Sequence, residues 1–131
     1  MIKKGGIVTE NLNNQGREPS HLLTGKICIT ARGNNLQAEI DPHFGRAAFF
    51  LIINPESTTF EAIENPSVHQ AHGAGIQSAQ FLLDKGVSIL ITGQVGPNAQ
   101  RVFESGGIKV ITGESGPAEQ ALARFKAQAK K

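Results

Sequence analysis

Apolar residues in this chain fall into short runs, each closed off by proline, glycine or polar turn residues. Short β-branched or aromatic runs bounded in this way predict strands. In residues 26–31, Ile27 and Ile29 alternate with Cys28 and Thr30, which gives the strand two distinct faces. Residues 47–53, ending Phe49-Phe50-Leu51-Ile52-Ile53, are apolar throughout and predict a strand buried on both sides. Residues 58–64 set Thr58, Phe60 and Ala62 on one face and Thr59, Glu61 and Ile63 on the other. Residues 87–91 predict a buried strand and residues 108–111 the last one.

Elsewhere the apolar period is that of a helix. Ile76, Ala79, Leu82 and Leu83 predict a helix over 76–85, capped by Gly86. Ala99, Val102 and Phe103 predict a second, opened by Pro97 and closed by Gly106-Gly107. Ala118, Ala121, Leu122 and Phe125 form the inward stripe of a third, after Pro117. Arg124, Lys126, Lys130 and Lys131 crowd its C-terminal end, a favourable placement against the helix dipole.

The order is therefore βββαβαβα. Asn54-Pro55-Glu56-Ser57 is a tight turn, so strands two and three pair antiparallel. The two later strands are reached through helical crossovers, which make parallel, right-handed connections. These constraints predict an α/β domain with a mixed five-stranded sheet of order 3-2-1-4-5, strand two antiparallel, flanked by helices. Stretches 32–46, 65–75, 93–98 and 113–117 then all leave the sheet at one edge, where ligands bind in such folds. Glycine-rich helix starts at that edge favour a negatively charged ligand.

Residues 1–25 break the pattern. Asn11, Asn13, Asn14, Gln15 and their neighbours are polar and aperiodic, and such a stretch buries too little apolar surface to offset its ordering entropy. It predicts a flexible, dispensable leader ahead of one domain over 26–131. With 39% hydrophobic and 18% charged residues, a chain of 131 residues can build a core. A net charge of +2 is too small to point to nucleic acid. No apolar run is long enough to span a membrane, and Lys3-Lys4 lead into no secretory signal. The single cysteine, Cys28, excludes an internal disulfide and reads as a small core residue. Together these features predict a cytoplasmic protein.

Candidate chemistry centres on Asp41-Pro42-His43-Phe44-Gly45-Arg46, inside a connection far longer than a hairpin needs. Pro42 stiffens the chain before His43 and Gly45 permits a sharp bend after it, so the imidazole is well held for ligation or proton exchange. The plainer reading is a solvent-facing histidine with Phe44 anchored in the core. Arg46 either offsets the charge of an anionic ligand or pairs with Asp41. His69 and His72 would share a face if their loop were helical, and they are secondary metal-ligand candidates. No cysteine or carboxylate lies between or beside them, so a closed zinc site is not expected. Gly73, Gly75 and Ser78 mimic a dinucleotide fingerprint only loosely, lacking the strand before and the acid after. There is no nucleophile–base pair, no paired carboxylates near a histidine and no phosphate loop with its lysine, so the residues predict a binding protein rather than an enzyme.

Six motifs occur in one order: Ile-Asp-Pro-His-Phe-Gly-Arg-Ala (40–47), Glu-Asn-Pro (64–66), Gly-Ala-Gly-Ile (73–76), Gly-Val-Ser-Ile-Leu-Ile-Thr-Gly (86–93), Gly-Pro-Asn-Ala (96–99) and Gly-Ile-Lys-Val (107–110). Together, over about residues 26–127, they resemble the dinitrogenase iron–molybdenum cofactor biosynthesis family. The resemblance implies a ribonuclease H-like fold. It also implies non-covalent binding of a molybdenum- or iron–sulfur-containing cluster, for carriage or assembly between donor and acceptor proteins, in a nitrogen fixation-related family whose members are not confined to organisms that fix nitrogen. It makes His43 the metal ligand. Phe44, Gly45, Arg46, Gly93, Gly96 and Asn98, at the same edge, are the expected cofactor-binding residues, with backbone N–H groups of 93–98 and 113–117 around the cluster. Ligation needs the neutral ring, so binding should weaken as pH falls below about 6.5. Two other classes compete. A nuclease would need several carboxylates in its site, and the first strand has none, with only Glu39 and Asp41 following. A small-molecule or protein interaction module would use the same edge without metal.

Overall fold

The computed structural model describes residues 25–57, 59–70 and 72–129. Apart from Gly25, the expected leader 1–25 lies outside these residues, as do Thr58 and the terminal lysines. The strands are β1 Lys26–Ala31, β2 Phe49–Ile53, β3 Phe60–Glu64, β4 Val87–Ile91 and β5 Lys109–Ile111. The helices are α1 Ala74–Asp84, α2 Pro97–Gly106 and α3 Ala118–Ala129, and Phe44–Arg46 makes a single 3-10 turn. The five strands form one sheet in the order β3-β2-β1-β4-β5. β2 is antiparallel to β1 and β3, whereas β4 is parallel to β1 and β5. This is the expected ribonuclease H-like arrangement.

Period-two alternation divides the core into two layers. Ile27, Ile29, Leu51, Ile53, Ile89 and Ile91 face α3 through Ala118, Ala121, Leu122 and Phe125. Cys28, Phe50, Ile52 and Leu90 face α1 and α2 through Ala79, Leu82, Ala99 and Phe103. Each fully buried Ile, Leu or Phe contributes about 1.5–3 kcal/mol, so these two layers dominate stability. Cys28 is fully buried, and burial pushes its thiol well above the ordinary value.

Element ends differ from expectation for local reasons. β2 begins at Phe49 rather than at residue 47, because side chains take over there: Ala48 N donates to Asp41 Oδ2 at 3.2 Å and Ala47 O accepts from Asn65 Nδ2 at 3.0 Å. β5 begins at Lys109, since Ile108 N is spent closing α2 on Phe103 O at 3.0 Å. α1 begins two residues before the expected start, directly after Gly73 in the left-handed conformation (φ 77°). β4 carries a bulge: Lys26 pairs with Val87 but Ile27 pairs with Ile89. The extra residue turns Val87 to the α1–α2 face, while Ile89 and Ile91 face α3.

Candidate functional site

The histidine loop is built on a pair of buried hydroxyls. Thr30 is the penultimate residue of β1 and Thr92 follows β4, and both are wholly buried. Thr30 Oγ1 donates to Asp41 O at 2.8 Å and lies 2.8 Å from Thr92 Oγ1. Thr30 has one hydroxyl proton, so Thr92 is the donor between them. Asp41 N returns to Thr30 O at 3.0 Å. The Asp41 carboxylate caps the turn from outside, accepting from Ala48 N through Oδ2 and, at 3.4 Å, from His43 N through Oδ1. The expected alternative of Asp41 paired with Arg46 is not what forms.

Phe44 is 2% exposed, stacked on Phe50 at 5.7 Å and edge-on to Phe103 at 5.1 Å. It anchors the loop in the core and does not line the edge. His43, one residue earlier, is exposed. The loop is zipped to the segment after β4: Gln94 N donates to Pro42 O at 2.8 Å and Phe44 N to Gln94 O at 3.2 Å. A Cβ on Gly93 would stand 2.6 Å from both Pro42 Cα and Pro42 O, so only glycine permits this approach. At its tip, the Gln94 carboxamide nitrogen sits 2.8 Å from His43 Nδ1.

The second long loop is tied to the same turn. Asn65 is buried and makes four bonds: Nδ2 donates to Gly45 O at 3.2 Å and Ala47 O at 3.0 Å, and Oδ1 accepts from Ser67 N at 2.9 Å and Ser78 Oγ at 3.1 Å. Arg46 reaches out to the loop's carbonyls, Val68 O at 2.9 Å and Gln70 O at 2.6 Å. A Cβ on Gly45 would lie 3.0 Å from the Gly75 backbone, where α1 starts. His69 and His72 are exposed and precede α1, so the helical face that would align them does not exist.

The remaining loop is closed rather than open. Gly113 N and Glu114 N donate to Gly93 O and Thr92 O at 2.8 and 3.2 Å. The first amides of α3, Ala118 and Glu119, are taken by Ala38 O and Leu36 O at 2.9 and 2.8 Å. Residues 113–117 therefore brace the edge, and the amides of Gly113, Glu114, Ala118 and Glu119 are spent within the protein. Gly96 caps α2 in an extended conformation, and the exposed Asn98 accepts from Arg101 at 2.9 Å along its own helix.

The four loops thus meet at one edge, as the topology predicts, with the exposed His43 imidazole fixed there by Gln94. Among the described residues, no three His, Cys, Asp or Glu side chains gather as a set that could hold a metal ion. Sequence reasoning missed Gln94 and Asn65 as parts of the assembly. Asn65 stood within the Glu-Asn-Pro motif and Gln94 directly after the motif that ends at Gly93, but nothing local names their partners.

A family model described as dinitrogenase iron-molybdenum cofactor matches residues 25–128. An uncharacterised protein of Methanocaldococcus jannaschii is 33% identical over 103 residues, which cover 76% of this chain and 84% of that one. The apo form of the orange protein from Desulfovibrio gigas superposes with a TM-score of 0.76 at 38% identity, covering 81% of this chain and 90% of that one. A candidate NifB protein from Thermotoga, solved by NMR, gives 0.70 at 34% identity, covering 79% and 89%.

Proposed function

The chain belongs to the dinitrogenase iron–molybdenum cofactor family, and from that premise we propose that it binds and carries a preassembled molybdenum- or iron–sulfur-containing cluster, without catalysing a reaction, between donor and acceptor proteins. The observation that carries this reading is the exposed His43 imidazole, fixed at the edge where four loops meet. The donor set fits such a cargo. A bare divalent ion needs about four protein ligands, and the described residues gather no such set. A finished cluster brings its own inner ligands and needs from the protein one nitrogen, with hydrogen-bond donors around it. His43 supplies the nitrogen, which suits iron and the borderline metals. α1 and α2 both start at this edge, and the first-turn amides of a helix favour an anion. Gly93 allows the close backbone approach to Pro42 that sets His43 in place, and Gly96 opens α2 at the same edge; Phe44 and Arg46 hold the loop. His69 and His72, exposed on the neighbouring loop, are secondary ligands.

No helix among the described residues is long and apolar enough to cross a membrane. Ile76, 40% exposed in the first turn of α1, favours a second reading in which this edge docks a protein. Anaerobic titration with iron–molybdenum cofactor separates the two. Wild type should bind, His43→Ala should lose at least about tenfold in affinity, and the His69→Ala/His72→Ala double variant should lose less. Unchanged binding by His43→Ala ends the ligand assignment, and no binding by wild type leaves the docking reading.

A further inference from the structure

His43 and Gln94 face each other in an isolated parallel bridge, and their main chains are joined through Pro42 O and Phe44 N. With both backbones fixed, the contact at 2.8 Å between the carboxamide and Nδ1 orders only a few side-chain torsions. The ring is therefore held by Nδ1, and Nε2 is the nitrogen left to meet a ligand. We propose that Gln94 is the positioning residue of the site: its carboxamide sets which ring nitrogen of His43 carries the proton, and so whether Nε2 meets the cargo as a hydrogen-bond donor or as a lone pair. This rests on the reading of His43 as the ligand.

A carboxamide has two ends of opposite character, and a half-turn exchanges them. For Asn65 the exchange is blocked, because two carbonyls demand its NH2 and a backbone N–H demands its oxygen. Gln94 is different. Among the described residues its carboxamide meets only the imidazole, which accepts either end. With NH2 towards Nδ1, the ring proton sits on Nε2, and Nε2–H can donate to a sulfide or oxide on the cargo's surface. With Oε1 towards Nδ1, Nδ1–H donates to it, and the Nε2 lone pair is free for a metal. The proton leaving Nε2 passes to water while Nδ1 takes one from water, so the ring stays neutral and no charge is gained. A metal-bound histidine almost always gives its other N–H to a carbonyl, carboxylate or water, and Oε1 of Gln94 is such a carbonyl, already within reach. The half-turn moves no backbone, so one site can first hold a cluster by hydrogen bond and then ligate it.

The test has two arms. In the first, two-bond 1H–15N correlations of 15N-histidine protein are recorded at alkaline pH, where the correlations themselves identify the neutral ring. Gln94→Glu, which can only accept, should hold His43 in the Nδ1–H form. Gln94→Leu, which does neither, should shift it towards Nε2–H. Matching amide spectra elsewhere confirm that both variants fold, as expected with the backbone ladder retained. Equal tautomer populations in the two variants would overturn the proposal. In the second arm, iron–molybdenum cofactor is titrated anaerobically into wild type and Gln94→Leu. A loss of at least about tenfold is expected, and equal affinity would overturn the positioning role. Failure of wild type to bind removes the ligand reading, while the tautomer comparison still decides what the carboxamide does.

Discussion

Removing the Asn65 carboxamide should cost more than any other single polar truncation at this edge. Asn65→Ala deletes four hydrogen bonds at once. Their partners do not suffer equally. Gly45 is half-buried, so water can reach its carbonyl. Ser78 lies within α1, and its hydroxyl can turn to a carbonyl one turn back along that helix. Ala47 and Ser67 are buried, leaving Ala47 O and Ser67 N without partners. A buried group stripped of its partner costs about 1–3 kcal/mol. Two such groups give a loss of about 4 kcal/mol. A domain of this size is stable by about 5–15 kcal/mol, so the variant should fold but melt about 20 °C lower. Asn65→Asp keeps the acceptor half and replaces the donor half with a carboxylate oxygen facing two carbonyls. It should be about as damaging at neutral pH and recover in part on acidification, when the protonated acid regains a donor. Urea unfolding followed by circular dichroism measures both, with an unchanged m-value showing that stability alone has moved. Hydrogen exchange should quicken at 44–48 while β1 and β4 stay protected. A loss below about 1 kcal/mol for Asn65→Ala would refute the reasoning, because it would mean that solvent already satisfies these groups.

Gly93→Ala should lose about 1–3 kcal/mol, since its Cβ would meet Pro42 backbone atoms at 2.6 Å. Gly96→Ala, with open space around the added Cβ and an ordinary φ of −73°, should be neutral or slightly stabilising, and equal thermal shifts for the two would contradict the packing argument. Native Cys28 should resist alkylation until the protein unfolds, because burial raises its thiol pKa. The unfolded thiol ionises first as pH rises, so stability should fall above about pH 8.5, by about 1.4 kcal/mol per unit. Comparing the urea-derived pH profile of Cys28→Ala with wild type checks this, and parallel profiles would count against it.

The sequence by itself determined the elements and their order. Strand and helix periods are local properties, so alternation in β1 and the spacing of Ile76, Ala79 and Leu82 needed no tertiary information. The tight turn at 54–57 and the helical crossovers then left one sheet order and one edge for the loops. Even the split of Ile27 and Ile29 from Cys28 between two helical layers follows from the pleat.

What the fold alone decided is which polar groups meet. His43 and Gln94 are 51 residues apart, and no periodicity links them. Arg46 had a plausible partner in Asp41 nearby in sequence, yet the packed loop offers it two carbonyls and gives Asp41 two amides instead. The α3 start looked open for an anion until the loop at 36–38 folded over its amides. The bulge at Val87 likewise depends on how β4 settles against β1, not on its own residues. The difference has one cause. Apolar burial is non-directional and is written in each segment's own pattern, whereas a hydrogen bond needs a particular partner at a particular angle, and only the assembled chain supplies it.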